Sequence, residues 1–293
     1  MTDFPERPFT VSDSEYPFDS HWFERDGAFM HYIDEGKGVP VIMLHGNPTW
    51  SFLYRNVIKR LDGSCRSIAV DYPGFGMSQH PPNYGYTPQE HAAWVNALID
   101  YLSLERFVLV GQDWGGPIGL SIAVQRPGDV AGLVLGNTFA WRSKSLTFYL
   151  FATIAGGPIG KYLILRRNFF ADRLMSSALT RSESKSPDIL KAYTEPFPTP
   201  ESRMGTYVFP RALKRSDELF DAINAGLGKL DSKPVELLMG TQDTLLASDE
   251  VIDRWLSIFP DAGLERVEDA GHYFQEDRPD RVAAAIRRLL VRS

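Results

Sequence analysis

The architecture of this chain turns on the stretch Arg106-Phe-Val-Leu-Val-Gly-Gln-Asp-Trp-Gly-Gly-Pro117. Phe107 to Val110 form a short apolar run, which reads as a buried strand. It passes directly into Gly111-Gln-Asp113-Trp-Gly115. Glycines on both sides of a central residue permit the cramped strand-to-helix turn that lifts a nucleophile clear of a sheet. A serine at the centre would point to an esterase. The aspartate calls for chemistry that a carboxylate does better than an alkoxide.

Outward from this turn, strand and helix signals alternate. Ala28 to Ile33, Val39 to Leu44, Arg66 to Val70 and Val130 to Leu135 read as strands. Helices are expected from about Ser51 to Leu61, from Thr87 to Leu102 and from Gly116 to about Gln125. Thr87 can cap the second helix, Pro88 suits its first position, and Glu90 completes a capping-box spacing. This alternation implies an α/β fold with a parallel sheet covered on both faces. The pattern changes at Thr138. From there to about Leu230 no clear strand is visible, and the segment is helix-like, aromatic and broken by Pro196, Pro198, Pro200 and Pro210. Strand character returns at Pro234 to Met239. A helix follows from Asp249 to Phe259, then a strand from Leu264 to Val267 and a last helix from Pro279 to Val291. An insertion between two strand runs of one sheet is most simply a lid over the strand C-termini, where α/β folds bind ligands.

Chemistry-bearing residues gather at the predicted strand ends. Leu44-His-Gly-Asn-Pro-Thr-Trp50 follows one strand, Asp113 another, Asp243 a third, and Asp269-Ala-Gly-His272 the last. The order nucleophile, acid, histidine fits the α/β-hydrolase scheme, with His272 as base and Asp243 as the carboxylate that holds its tautomer. His45 reads as loop-shaping. Asp71, the rival carboxylate, reads as a turn residue. Ser121 partly imitates a serine elbow but falls inside the helix after Asp113.

Composition removes several function classes. The 293 residues suffice for a substantial core, and a formal charge of −6 without a basic stripe argues against nucleic acid. Cys65 is the only cysteine, so no intramolecular disulfide or cysteine-rich metal site is available, and it reads as a small core residue. Met1 to Asp19 lack a basic start and an apolar core, which points to a cytoplasmic location without a secretory signal. Ser145 to Gly160 is uncharged and apolar but too short and too Gly/Pro-broken for a membrane span. It reads first as a buried helix or pocket wall, and second as a membrane-touching surface. Phe139, Trp141, Phe148, Phe169 and Phe170 suggest an apolar pocket.

His-Gly-Asn-Pro-Thr-Trp, Gly-Gln-Asp-Trp-Gly-Gly and Gly-His-Tyr-Phe-Gln-Glu-Asp together resemble the haloalkane dehalogenases of the α/β-hydrolase superfamily. The likeness runs from about Tyr16 to Leu290. It implies a mostly parallel central sheet flanked by helices, with a helical cap inserted after the sixth strand. Residues 1–137 and 231–293 would form the core domain and 138–230 the cap. It also implies that Asp113 attacks a saturated carbon, and that Trp114 Nε1 and Asn47 Nδ2 hold the departing halide. His272 would then activate water, with backbone N–H groups of Asn47 and Trp114 on the oxyanion. An aspartyl ester can be hydrolysed at its own carbonyl, whereas a serine ether could not readily be cleaved. Asn47 combined with Asp243, and the lack of a carboxylate at Asn137, resembles the third dehalogenase subfamily, whose members tend to form homo-oligomers. The implied partners are a small halogenated aliphatic substrate, water and halide. No metal or organic cofactor is implied.

Two other functions compete. An epoxide hydrolase would share Asp113 and His272 but needs cap tyrosines to protonate the epoxide oxygen, for which Tyr149, Tyr162, Tyr193 and Tyr207 are candidates. A binding protein of this fold with little turnover is the other, against which the complete nucleophile, base and acid set counts.

Overall fold

Strands His21–Arg25 (β1), Ala28–Gly36 (β2), Pro40–Leu44 (β3), Arg66–Val70 (β4), Phe107–Asp113 (β5), Val130–Thr138 (β6), Val235–Gly240 (β7) and Gly263–Val267 (β8) form one sheet in the order β1-β2-β4-β3-β5-β6-β7-β8. From β4 across to β8 every neighbouring pair is parallel, while β2 is antiparallel to both β1 and β4. The computed structural model describes residues 4–292, so Met1 to Asp3 of the acidic N-terminal segment lie outside the described residues.

Both faces of the central strands are covered, which is why β3, β5, β6 and β7 are near-continuous apolar runs without alternation. Helices Arg55–Leu61 (α1), Pro88–Tyr101 (α2) and Gly115–Gln125 (α3) follow β3, β4 and β5. The capping box at the start of α2 forms as expected: Glu90 N donates to Thr87 Oγ1 at 3.2 Å, and Thr87 N donates to Glu90 Oε2 at 2.9 Å. Ser51 to Tyr54 make a tighter 3-10 turn before α1, where one continuous helix was expected.

β1 is absent from the sequence reading. Its signal is the dipeptide Asp26-Gly27, which joins β1 to β2 with φ of 51° and 74°. Two left-handed residues in a two-residue loop are what a right-twisted hairpin requires. With β1 counted, the insertion follows the sixth strand. Between β6 and β7 lie Leu146–Ala155 (α4), Pro158–Arg167 (α5), Met175–Ala178 (α6), Pro187–Thr194 (α7), Met204–Ala212 (α8) and Asp217–Gly226 (α9). No strand occurs there among the described residues. Asp249–Ile258 (α10), Phe274–Asp277 (α11) and Pro279–Arg292 (α12) complete the chain.

The uncharged stretch around α4 departs from its expected burial. Phe148, Ala152 and Ala155 turn inward, but Leu146, Tyr149, Leu150 and Ile154 are exposed. Only one face of this helix is a pocket wall. Cys65 is buried, as its setting beside β4 suggested.

Candidate active site

Asp113 ends β5 with a φ of 49°, a left-handed conformation that costs a non-glycine residue strain and turns the chain sharply into α3. Close backbone approach explains two flanking glycines. A Cβ on Gly115 would sit 2.0 Å from Leu44 O, and one on Gly46 would sit 2.4 Å from the Asp113 Cβ. The loop after β3 is thereby pressed against the elbow. Asn47 N donates to Asp113 Oδ2 at 2.8 Å, and the Trp114 backbone N–H also bonds the carboxylate. Thr138 Oγ1 donates to Asp113 O at 2.6 Å and braces the turn from β6. Burial raises the Asp113 carboxyl above its ordinary value; the His272 charge and the two N–H groups oppose this without cancelling it.

His272 follows β8. Its Nδ1 lies 2.7 Å from Asp243 Oδ2. The other carboxylate oxygen, Asp243 Oδ1, accepts the N–H groups of Leu245 and Leu246, each at 3.0 Å. Burial would raise the Asp243 carboxyl, but the attraction and hydrogen bond of His272, with those two N–H groups, hold it below the usual carboxylate range. Burial would lower the His272 imidazole, yet the Asp243 charge and hydrogen bond and the Asp113 charge leave it raised.

Asn137 was notable in the sequence only for not being acidic. Its Nδ2 lies within hydrogen-bond reach of Asp243 Oδ2 at 3.2 Å, Gly240 O at 3.2 Å and Gly271 O at 3.1 Å, while its Oδ1 accepts Gly240 N at 2.8 Å. It therefore laces the loop carrying the acid to the loop carrying the histidine.

Gln112 was also missed, although it sits beside Asp113 in the sequence. Its Nε2 donates to His272 O at 3.1 Å and lies 3.0 Å from His272 Nε2. Exchanging its oxygen and nitrogen would set two carbonyl oxygens against each other, so the NH2 end faces the histidine. With Nδ1–H committed to Asp243, Nε2 carries the lone pair that accepts from Gln112. The pairing favours the neutral, basic imidazole.

Asp113, His272, Asn47 and Trp114 line one cavity of about 170 Å³ with Phe139, Phe148, Phe151, Phe170, Leu174 and other apolar residues. Asp243 stands behind His272 and does not line it. The volume slightly exceeds the ~150 Å³ of an apolar cavity that accepts benzene. Trp114 stacks on Phe209, and no group among the described residues accepts its indole N–H. Asn47 Nδ2 donates to Thr206 O at 3.0 Å, which leaves one of its two hydrogens uncommitted. Of the expected pocket aromatics, Trp141 instead packs on Trp255, and Phe169 lies outside the lining.

None of the four candidate tyrosines lines this cavity. Tyr149 and Tyr162 face outward, Tyr193 donates to Glu276, and Tyr207 donates to Gly156 O at 3.3 Å. Tyr273 does line it, but its hydroxyl donates to Asn47 O at 3.0 Å. The epoxide reading thus loses the acids it named. His45 is buried and pushed down to about 4 by burial, with Nε2 accepting Tyr72 N at 3.2 Å, in keeping with a loop-shaping role. Asp71 is more than a turn residue. It is fully buried and accepts from Ser51 N, Met77 N and His31 Nδ1, at 2.7, 2.9 and 2.9 Å. Ser121 bonds back to Ile118 O inside α3, as read.

A sheet of this order with an elbow, a histidine and an acid at its strand ends defines an α/β hydrolase, and the family profile for the alpha/beta hydrolase fold matches residues 39–279. More narrowly, the chain belongs to the haloalkane dehalogenase family and is an enzyme of the hydrolase class. It is 39% identical to haloalkane dehalogenase 2 of Mycobacterium tuberculosis over 95% of this chain and 97% of that one. The cis-3-alkyl-4-alkyloxetan-2-one decarboxylase of Shewanella oneidensis is 32% identical, covering 95% of this chain and 90% of its own. Among solved structures, the haloalkane dehalogenase DatA from Agrobacterium tumefaciens superposes with a TM-score of 0.83 at 28% identity, over 94% and 96% of the two chains.

Proposed function

We propose that the chain hydrolyses small apolar haloalkanes to alcohol, halide and a proton through an ester on Asp113. The observation that carries this is an ionisable carboxylate at the floor of an apolar cavity, beside an indole N–H that no described group accepts. The Asp113 carboxylate attacks the carbon bearing the halogen, and the C–X electron pair leaves with the halide. Trp114 Nε1 and the uncommitted Asn47 Nδ2 hydrogen stabilise the developing anion, where low polarity strengthens each hydrogen bond. His272 Nε2 takes a proton from water, which adds to the ester carbonyl. The oxyanion falls on the N–H groups of Asn47 and Trp114 that already bind the carboxylate. Collapse releases the alcohol, regenerates Asp113, and His272 returns its proton to solvent. Asp243 as supporting acid and Asn47 as halide donor align the chain with the third dehalogenase subfamily, and the helices of 138–230 serve as its cap.

Incubation with 1-bromobutane should release bromide and 1-butanol in equal amounts. The relative named as an oxetanone decarboxylase favours a second reaction at the same carboxylate. Attack on the ring carbon would open a β-lactone to an ester bearing a free carboxylate; loss of CO2 would then form the alkene and expel Asp113. A cis-dialkyl β-lactone supplied in parallel distinguishes the two. Alkene with no bromide release overturns the dehalogenation assignment.

Gln112→Glu provides a test of the base. A carboxylate beside Nε2 would accept Nε2–H and stabilise the imidazolium, raising the His272 pKa. Because water activation needs the neutral ring, the rate of alcohol formation should fall roughly tenfold or more near neutrality, and its rising limb should move to higher pH. An unchanged pH profile would remove Gln112 from this role.

A further inference from the structure

We infer that the outer faces of α4 and α5 dock this protein on the surface of an anionic lipid bilayer. Leu146 and Ile159 are 71% and 66% exposed, and Tyr149, Leu150, Ile154 and Tyr162 are each at least half exposed. All six belong to two adjoining helices bent by 58°. Single exposed apolar residues need no explanation, but a contiguous set on one surface marks an interaction site. The inner faces are already occupied: Ala155 and Ile164 are buried with Phe170 and Tyr207, so the outer residues have no place in the core.

The charge around the patch identifies the partner. From Trp141 to Ala171 there are five basic residues (Arg142, Lys144, Lys161, Arg166 and Arg167) and no Asp or Glu; Arg142 is paired with Asp217 and Asp221 of α9, and the other four carry the charge of this stretch. Residues 138–230 as a whole hold fourteen Lys and Arg against eight Asp and Glu, in a chain whose formal charge is −6. The positive charge is therefore concentrated on the segment that carries the apolar patch. Lys214 adds to its edge, with Nζ 4.3 Å from the centre of the Tyr149 ring and donating to Thr153 Oγ1 at 3.1 Å. Apolar side chains that share a short segment with long cationic ones, aromatic rings among them, suit the boundary between acyl chains and anionic headgroups. A second copy of this chain fits less well, since it would bring two basic rims together. Each helix has ten residues, too few to cross a bilayer, so the pair lies on the surface and does not span it. Phe148 and Phe151, on the inner side of α4, line the catalytic cavity, so a docked molecule holds that cavity close to the lipid. Docking goes beyond the reaction proposed above, and its test reads no turnover.

Co-sedimentation of the full chain with phosphatidylcholine vesicles, with and without an equal share of phosphatidylglycerol, tests this. Binding should be strong to the anionic vesicles, weak to the neutral ones, and should fall as salt rises. Ile154→Glu with Ile159→Glu should lower the partition coefficient roughly tenfold or more. Reversing Lys161, Arg166 and Arg167 to Glu should lower it by roughly a hundredfold or more, since each cation near an anionic leaflet contributes about a fivefold gain. The two variants alter different parts of the surface, so misfolding of one, seen as a lost thermal transition, leaves the other as the test. Failure of the wild type to sediment with anionic vesicles overturns the inference. So does sedimentation of a folded variant equal to wild type. A dimer in light scattering that the isoleucine variant converts to monomer, without vesicle binding, would assign the patch to self-association instead.

Discussion

His272→Phe should release one equivalent of bromide per active site from 1-bromobutane and then stop. The first half-reaction needs only the Asp113 carboxylate and donors for the halide, none of which His272 supplies. The second needs a base for water, and a phenyl ring offers none. Steady-state turnover should fall by about three orders of magnitude or more, toward the upper range for loss of a general base. The intact protein should gain the mass of one butyl group in place of a proton, located by peptide mapping to Asp113. Asp113→Ala should show neither burst nor mass gain. The burst has its own pH signature. Burial raises the Asp113 carboxyl, so its reactive charged form is lost as pH falls through that raised value, and the burst rate should decline on the acid side. Removing the imidazolium charge from beside it raises this carboxyl further, so the decline should begin at higher pH than in the wild type. Normal turnover by the phenylalanine variant would show that another group activates water.

On the proposed mechanism, the wild-type histidine changes state during the cycle for a related reason. In the free enzyme the negative charges of Asp243 and Asp113 both keep its pKa raised. Alkylation neutralises Asp113, and one of those contributions vanishes. The ring becomes easier to deprotonate when a neutral base is needed. The pH limb of ester hydrolysis should accordingly lie below the His272 titration of the resting enzyme.

Much of this arrangement was legible from the chain because it is local in sequence. Gly111 to Gly115 specify an elbow, and continuous apolar runs specify strands buried on both faces. What escaped depends on pairing between distant segments. Gln112 reaches His272 across 160 positions, and Asn137 reaches the loops of Gly240 and Gly271 across 103 and 134. A glutamine beside an elbow and an asparagine at a strand end carry no periodicity that would single them out. The β1 strand escaped for another reason. Its Asp26-Gly27 turn was a readable hairpin signal, but five residues at a sheet edge give a weak pattern. The outer face of α4 illustrates the converse. An uncharged stretch reads first as buried and only second as a surface that touches a membrane, because hydropathy does not say which side of a helix the core covers.

Asp243→Asn should reduce steady-state turnover on the order of 10³–10⁴-fold while leaving the bromide burst intact. The size of the effect follows from the hydrogen bonds around the carboxylate. Oδ1 accepts two backbone N–H groups, from Leu245 and Leu246, so the carbonyl oxygen of an introduced asparagine must occupy that place. Its NH2 then takes the Oδ2 position, where it meets His272 Nδ1 at 2.7 Å and the donating Nδ2 of Asn137 at 3.2 Å. To satisfy that NH2, the ring must accept at Nδ1 and carry its proton on Nε2. The lone pair then faces away from the water, and Gln112 Nε2 meets a second donor. The base is lost through its tautomer although the imidazole is still present. The pH dependence separates this from simple misfolding. Asp243 raises the His272 pKa, so its removal should move the residual hydrolysis limb to lower pH. Asp113 retains its bonds to the N–H groups of Asn47 and Trp114, and alkylation should proceed at close to the wild-type rate. Stopped-flow measurement of bromide release, followed by the decay of the alkylated mass species, reads both steps in one variant. Decay of that species at the wild-type rate would show that Asp243 does not hold the tautomer. The acid would then have to be sought elsewhere among the carboxylates near the cavity.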